Sequence, residues 1–139
     1  TAQSITVESL LALRSYSTVH QLESDVAGEL ANAKTGFDAL SALFPGGSMT
    51  GAPKIRACAL ISELENRPRG AYSGAIGWVS PSGDMDLGMV IRTAIFENQT
   101  VSISVGGGIT SGSDPEIEHT EMQLKALALV QAMGASVNW

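Results

Sequence analysis

A single cysteine, Cys58, stands in this chain of 139 residues, so no disulfide can close within it. That suits a reducing compartment, the cytoplasm, rather than a stapled secreted fold. Cys58 falls in a helical pattern and reads as a small buried apolar residue. Basic residues are also scarce: eight Lys and Arg stand against fourteen Asp and Glu, for a net charge of −6. A chain this acidic, with no basic run, is not built to bind nucleic acid, because phosphates require a positive surface. An anionic small molecule is not excluded, since one or two well-placed cations suffice for it. Aromatics make up 5% of the residues, so the core is expected to be aliphatic, with tight turns supplied by fifteen glycines. No apolar run reaches the roughly 18 residues of a membrane span. Thr1-Ala2-Gln3-Ser4 shows no basic-then-apolar leader pattern. The missing initiator Met points to a cut chain, and the length suits one domain.

What the chain does have is clear periodicity. Ile5 and Val7, then Leu11 and Leu13, predict a first strand over 5–13. Ser17 or Thr18 is placed to cap a helix to about Ala31, with Val19, Leu22, Val26 and Leu30 on one face. A break over 32–36 precedes a short helix from Phe37 to Leu43. A Gly-rich block follows, with Thr50 as candidate N-cap and Pro53 in the first turn of the next helix. Ala57, Leu60, Ile61 and Leu64 form the stripe of that helix. Tyr72–Val79, Met85–Phe96 and Thr100–Val105 then read as three strands joined by short turns, an antiparallel meander. Asp114-Pro115 opens a last helix running to about Met133 and ended by Gly134. The fold class expected is α+β, antiparallel strands with packed helices.

Several residues stand out chemically. Glu118, Glu121 and Lys125, at i, i+3 and i+7 of the last helix, project from one face. Two carboxylates so spaced can share one divalent cation, and magnesium suits such oxygen ligands; an acidic solvated face with a Glu121–Lys125 pair is the alternative. Glu116 and His119 fall on other sides of that helix. Gly106, Gly107 and Gly108 end a strand and let backbone N–H groups approach a ligand. They lack the strand–G-x-G-x-x-G–helix context of a dinucleotide site. Arg92 interrupts an apolar strand and either faces solvent or grips a carboxylate bidentately. Tyr72 could donate to the same carboxylate. Lys54 and Arg56 sit near a helix N-terminus, where cations need an anion to compensate.

Residues 45–57, PGGSMTGAPKIRA, resemble the PGGSxTGAPKxRA block of the chorismate-utilising enzymes. Other segments are similar to the same family in order and spacing: Tyr16–Leu22, Arg69–Gly77, Ile91-Arg92-Thr93, Val105–Ile109, Ser113–Glu121 and Lys125-Ala126. The resemblance implies the C-terminal portion of the family's α/β sandwich, that of anthranilate synthase component I. It implies a magnesium site at Glu118 and Glu121, clamping the ring carboxylate of chorismate. Tyr72 and Arg92 would bind the enolpyruvyl carboxylate. Gly106, Gly107, Gly108 and Lys125 would complete the anion pocket, and Ser48 and Thr50 would line it. The family's catalytic histidine would fall at Gln21, one position after His20. Either His20 takes over by a register shift or the enzyme does without that general acid. Glu23 replaces a usually apolar residue of the same segment.

The wording of the block favours the aminodeoxychorismate synthase component I branch over anthranilate synthase component I. That branch converts chorismate and ammonia to 4-amino-4-deoxychorismate in folate and para-aminobenzoate synthesis, the ammonia coming from glutamine through a glutamine amidotransferase subunit or domain. A carboxylate- or partner-binding module without catalysis is the other alternative. Family members run to several hundred residues, so an upstream part of the same domain, with a further magnesium ligand and a nucleophilic lysine, is expected to be missing. The chain alone is expected to lack turnover.

Overall fold

The computed structural model describes residues 1–17 and 19–137, and the chain divides into two compact units, Thr1–Ala42 and Leu43–Trp139. The first unit is built on one long hairpin. After a 3-10 turn at Ala2–Ser4, strand β1 (Thr6–Ser15) pairs antiparallel with β2 (His20–Ala27). Tyr16 N–H donates to the Val19 carbonyl to close the turn. The register pairs Leu13 with Leu22 and Val7 with Val26, with irregularities between Val7 and Ala12. Leu11, at φ +48, sits in that irregular stretch, where its N–H donates to Ser24 Oγ.

The helix expected from 17 or 18 to 31 is therefore a strand. Leu22 and Val26 are four apart, an even number, so they share a face in a strand as well as in a helix. The neighbouring β1 supplies a ladder along one edge of the segment, and that decides between the two. Of the two cap candidates, Ser17 lies in the turn and Thr18 lies outside the described residues. Helix α1 (Gly36–Leu43) matches the expected short helix. It opens on a reciprocal cap: Asp38 accepts from the Thr35 N–H and hydroxyl, both at 2.8 Å. Those bonds hold the Asp38 carboxyl below its usual range, the backbone bond most.

In the second unit the Gly-rich block is not all loop. Gly47–Thr50 form a one-turn helix, α2, which Gly51 ends at φ +83, a conformation that favours glycine. Helix α3 (Lys54–Glu65) then starts after Pro53 at the N-cap. Thr50 is not its cap: its hydroxyl donates to the Gly46 and Gly51 carbonyls. Lys54 Nζ reaches back 2.6 Å to the Leu43 carbonyl and closes the block on itself. Cys58 is half-buried on α3 with Ala57 and Ile61, while Leu60 and Leu64 of the expected stripe are exposed.

The three-strand meander resolves into two hairpins, β3 (Ala75–Val79) with β4 (Met85–Met89) and β5 (Ala94–Glu97) with β6 (Thr100–Ile103). The long strand expected over 85–96 breaks after Met89. Ile91 N–H donates to the Met89 carbonyl in a tight turn, and Arg92 takes φ +48. Helix α4 (Pro115–Ala132) closes the unit as expected: Asp114 Oδ1 accepts from the Glu116 and Ile117 N–H groups, and Pro115 holds the first position. Its apolar side shares a 480 Å³ cavity with Phe96, Val101 and Ile103 of the β5–β6 hairpin. Among the described residues Val90, Ala126 and Val130 are the buried apolar side chains, while large ones such as Ile55 and Leu64 stand 88% and 80% exposed. No described helix is long and apolar enough to cross a membrane.

Candidate functional site

The site forms where the strip after β6 meets the first turns of α4. The β5–β6 hairpin ends at Ile103 and delivers Gly106 and Gly107 to the helix. A Cβ built on Gly107 would lie 3.0 Å from Glu118 Oε2 and 3.9 Å from Lys125 Nζ. One built on Gly106 would lie 3.0 Å from the Tyr72 hydroxyl. The backbone comes this close because neither position carries a side chain. Lys125 Nζ donates to the Gly106 carbonyl at 3.1 Å and pairs with Glu121 Oε1 at 2.6 Å. The face of Glu118, Glu121 and Lys125 is thus turned onto the glycine strip.

Glu118 is half-buried and held from its other oxygen. Ser113 Oγ donates to Glu118 Oε1 at 2.6 Å and itself accepts from the Thr110 N–H at 3.0 Å. This relay fixes the carboxylate and leaves Oε2 toward Gly107. A cavity of about 320 Å³ opens there, lined by Gly106, Gly107, Ile109, Ser113, Glu118 and His119 among others. Pro115, Glu118, His119 and Met122 of its lining are an i, i+3, i+4, i+7 stripe of α4. That stripe was available in the sequence, and it corrects the placing of His119 away from the site. The spacing of charged residues alone had pointed one position off its axis. Ser113 gave no signal beyond its membership of a family-like segment.

Tyr72 approaches from the turn that follows α3. Arg69, at the start of that turn, grips Glu65 through Nε and Nη2 and reaches Ser73 Oγ with Nη1 at 2.8 Å. The ion pair holds the Glu65 carboxyl below its usual range and the Arg69 guanidinium above its own, the hydrogen bonds between them being the main cause.

Of the expected residues, Gly106, Gly107 and Glu118 line the cavity, with Tyr72 and Lys125 beside the two glycines. Gly108 is exposed with open space beside it. Ser48 is exposed, its Oγ 3.8 Å from Met89 Sδ, and Thr50 bonds its own backbone neighbours. Arg92 is exposed on the turn between β4 and β5. His20 belongs to the Thr1–Ala42 unit, where its Nδ1 lies 2.9 Å from Ser15 Oγ across the hairpin. Glu23 there pairs with Arg14 at 3.6 Å.

Among the described residues no three metal-ligating side chains form a cluster. The donor set that is present still fits a magnesium ion in part. Glu118 turns one carboxylate oxygen to the cavity, and Glu121 stands one helical turn on, engaged by Lys125. Magnesium takes one or two carboxylates and keeps several waters, so it does not require a full protein cage.

Residues 1–131 match the family of chorismate binding enzymes. The chain is 47% identical over 130 residues to an aminodeoxychorismate synthase of Streptomyces pristinaespiralis, covering 94% of this chain and 18% of that protein. It is 42% identical over 130 residues to anthranilate synthase component 1 of Aquifex aeolicus, covering 94% of this chain and 26% of that protein. Among solved structures, anthranilate synthase component I from Streptococcus pneumoniae superposes with a TM-score of 0.86 at 42% identity, over 91% of this chain and 29% of that one. The chain therefore spans 26% or less of these two relatives and under a third of that structure.

Proposed function

The chain belongs to the chorismate binding enzyme family, and from that premise we propose that it is a portion of aminodeoxychorismate synthase component I. The reaction is the conversion of chorismate and ammonia to 4-amino-4-deoxychorismate, in a reducing cytoplasm, with ammonia released from glutamine by an amidotransferase subunit or domain. The observation that carries the reading is the meeting of Tyr72, Glu118 and Lys125 at Gly106 and Gly107, two glycines that line one cavity with Glu118.

Each of these groups has a task toward a dicarboxylate. Lys125 presents a cation beside the Gly106 carbonyl. N–H groups of the glycine strip and the Tyr72 hydroxyl donate to carboxylate oxygens, holding the substrate in register with its nucleophile. Arg92 is assigned as the second cation for the side-chain carboxylate, with Ser48, Thr50 and Gly108 as outer contacts. Glu118 and Glu121 would hold magnesium, and the Ser113 relay keeps Glu118 aimed. Bound there, magnesium would supply Lewis-acid polarisation of the ring carboxylate. Turnover belongs to a protein of full family length, since the chain spans so little of its relatives.

The PGGSMTGAPK wording of residues 45–54 supports the aminodeoxychorismate product. Anthranilate synthase component I is the second reading, favoured by the superposition on that enzyme. Calorimetry of chorismate binding with and without magnesium tests the site on this chain. Magnesium-dependent binding that weakens in Glu118→Ala and Arg92→Ala supports it. Binding undiminished from wild type in both variants refutes these assignments. A product assay on the family-length protein separates 4-amino-4-deoxychorismate from anthranilate.

A further inference from the structure

Arg69 makes more bonds than an ordinary i, i+4 helix pair explains. Such a pair would use only Glu65, whose carboxylate Nε and Nη2 hold at 2.5–3.1 Å. The remaining nitrogen, Nη1, points away from Glu65. It donates to Ser73 Oγ at 2.8 Å and to the Met49 carbonyl of α2 at 3.3 Å. One planar fork thus joins the end of α3, the Gly-rich block and the turn leading to β3. Lysine has no fork with which to do this.

The residue that rides on this turn is Tyr72. Its N–H donates to the Arg69 carbonyl at 3.3 Å, and its ring centroid lies 5.5 Å from the guanidinium carbon, within reach of a cation–π attraction. Ser73, next in the chain, is 8% exposed and sits at φ +69, a conformation a serine adopts only when its surroundings hold it there. What holds it is Arg69 on the hydroxyl and the Val90 carbonyl on the N–H, at 3.1 Å. With ring and backbone both fixed, the Tyr72 hydroxyl falls beside Gly106, a residue that lines the cavity.

We propose that Arg69 is a positioning residue for Tyr72: its clamp on Glu65, Met49 and Ser73 sets the turn, and its guanidinium face sets the ring, so that the hydroxyl is delivered to Gly106. The chorismate reading enters only in what that hydroxyl then binds.

The chain has two tyrosines, Tyr16 and Tyr72, so fluorine NMR of 3-fluorotyrosine-labelled protein gives two signals, assigned with Tyr72→Phe. Arg69→Lys is expected to move the Tyr72 signal and leave Tyr16 in place. Chorismate affinity, measured with magnesium, is expected to fall about tenfold, as for one lost hydrogen bond to a charged group. In the Tyr72→Phe background the same exchange is expected to change affinity less than about twofold, because coupled residues are non-additive. Guanidinium ion added to Arg69→Ala should restore part of the loss. If Arg69→Ala does not fold, Glu65→Gln loosens the clamp from its other end and must shift Tyr72 in the same way. An unmoved Tyr72 signal in Arg69→Lys overturns the proposal. So does an equal affinity loss with and without the hydroxyl, which marks a role in the fold alone. Absence of wild-type chorismate binding would count against the functional reading, and the Tyr72 signal would still decide the role of Arg69.

Discussion

A methyl group at Gly107 should separate the fold of this unit from its site. The Cβ of Gly107→Ala would stand 3.0 Å from Glu118 Oε2, tighter than ordinary van der Waals contact, so the carboxylate must give by a few tenths of an ångström. It is not free to do so, because Ser113 holds its other oxygen at 2.6 Å. Moving it weakens that hydrogen bond, at a cost of about 1–2 kcal/mol, and puts the methyl where a ligand would meet the strip. The backbone itself accepts alanine, since Gly107 is not among the glycines with positive φ. Replacing a glycine at such a position stabilises a fold by roughly 0.4–1 kcal/mol through the unfolded chain. The two effects have opposite signs. Melting should therefore change little, while magnesium-dependent chorismate affinity falls about tenfold, the equivalent of about 1.4 kcal/mol. Calorimetric titration beside a thermal melt measures both. Unchanged affinity in a folded variant would refute the placement of Glu118 against Gly107.

Other expectations concern the scaffold. Gly77→Ala should destabilise the β3–β4 hairpin by roughly 1–3 kcal/mol in urea titration, because its Cβ would collide with the Asp86 carbonyl. Asp114→Ala removes the cap of α4 and should cost about 1 kcal/mol by the same assay. The Glu65 carboxyl is held below its ordinary value of 4.5 in the fold. Its contribution is thus fully present above that pH and is lost as pH falls through the lowered value. Acid melts of Glu65→Gln should accordingly show a shallower decline below pH 4.5 than wild type, and an identical decline would count against the pair. Exposed Ile55, Leu64 and Phe96 should make the chain associate with rising concentration in light scattering; a monomer at all concentrations would contradict that.

How far the sequence revealed this fold depends on where local chemistry was sufficient. Asp114-Pro115 carries both the cap and the first-turn residue, so α4 was legible to within a residue at each end. The β3–β4 hairpin was legible from its Pro81–Asp84 turn. The β2 strand was not, because Leu22 and Val26 satisfy both periods and only the pairing with β1 separates them. The break after Met89 was hidden as well. Val90 still pairs with Gly74 in the β3–β4 register, and no local signal tells of the turn from Met89 to Ile91 that follows.

The site divides along the same line. Residues that act through spacing on one helix, Glu118, Glu121 and Lys125, could be grouped beforehand, because a helix fixes their relative directions. Residues that act across the chain could be grouped only through the family resemblance, not by spacing. Tyr72 and Gly106 are far apart in sequence, and only the packed turn brings hydroxyl and backbone together. Ser113 and Arg69 carry ordinary side chains in ordinary contexts, and their value lies in the oxygen that each one orients. A reading based on charged pairs finds the groups that would touch a ligand. The groups that aim them appear only when the hydrogen bonds of Thr110, Ser113 and Glu118, or of Glu65, Arg69 and Ser73, are followed atom by atom. Substitutions at these aiming residues should thus be the sharper test of the site. They leave every ligand-facing group in place and change only its direction.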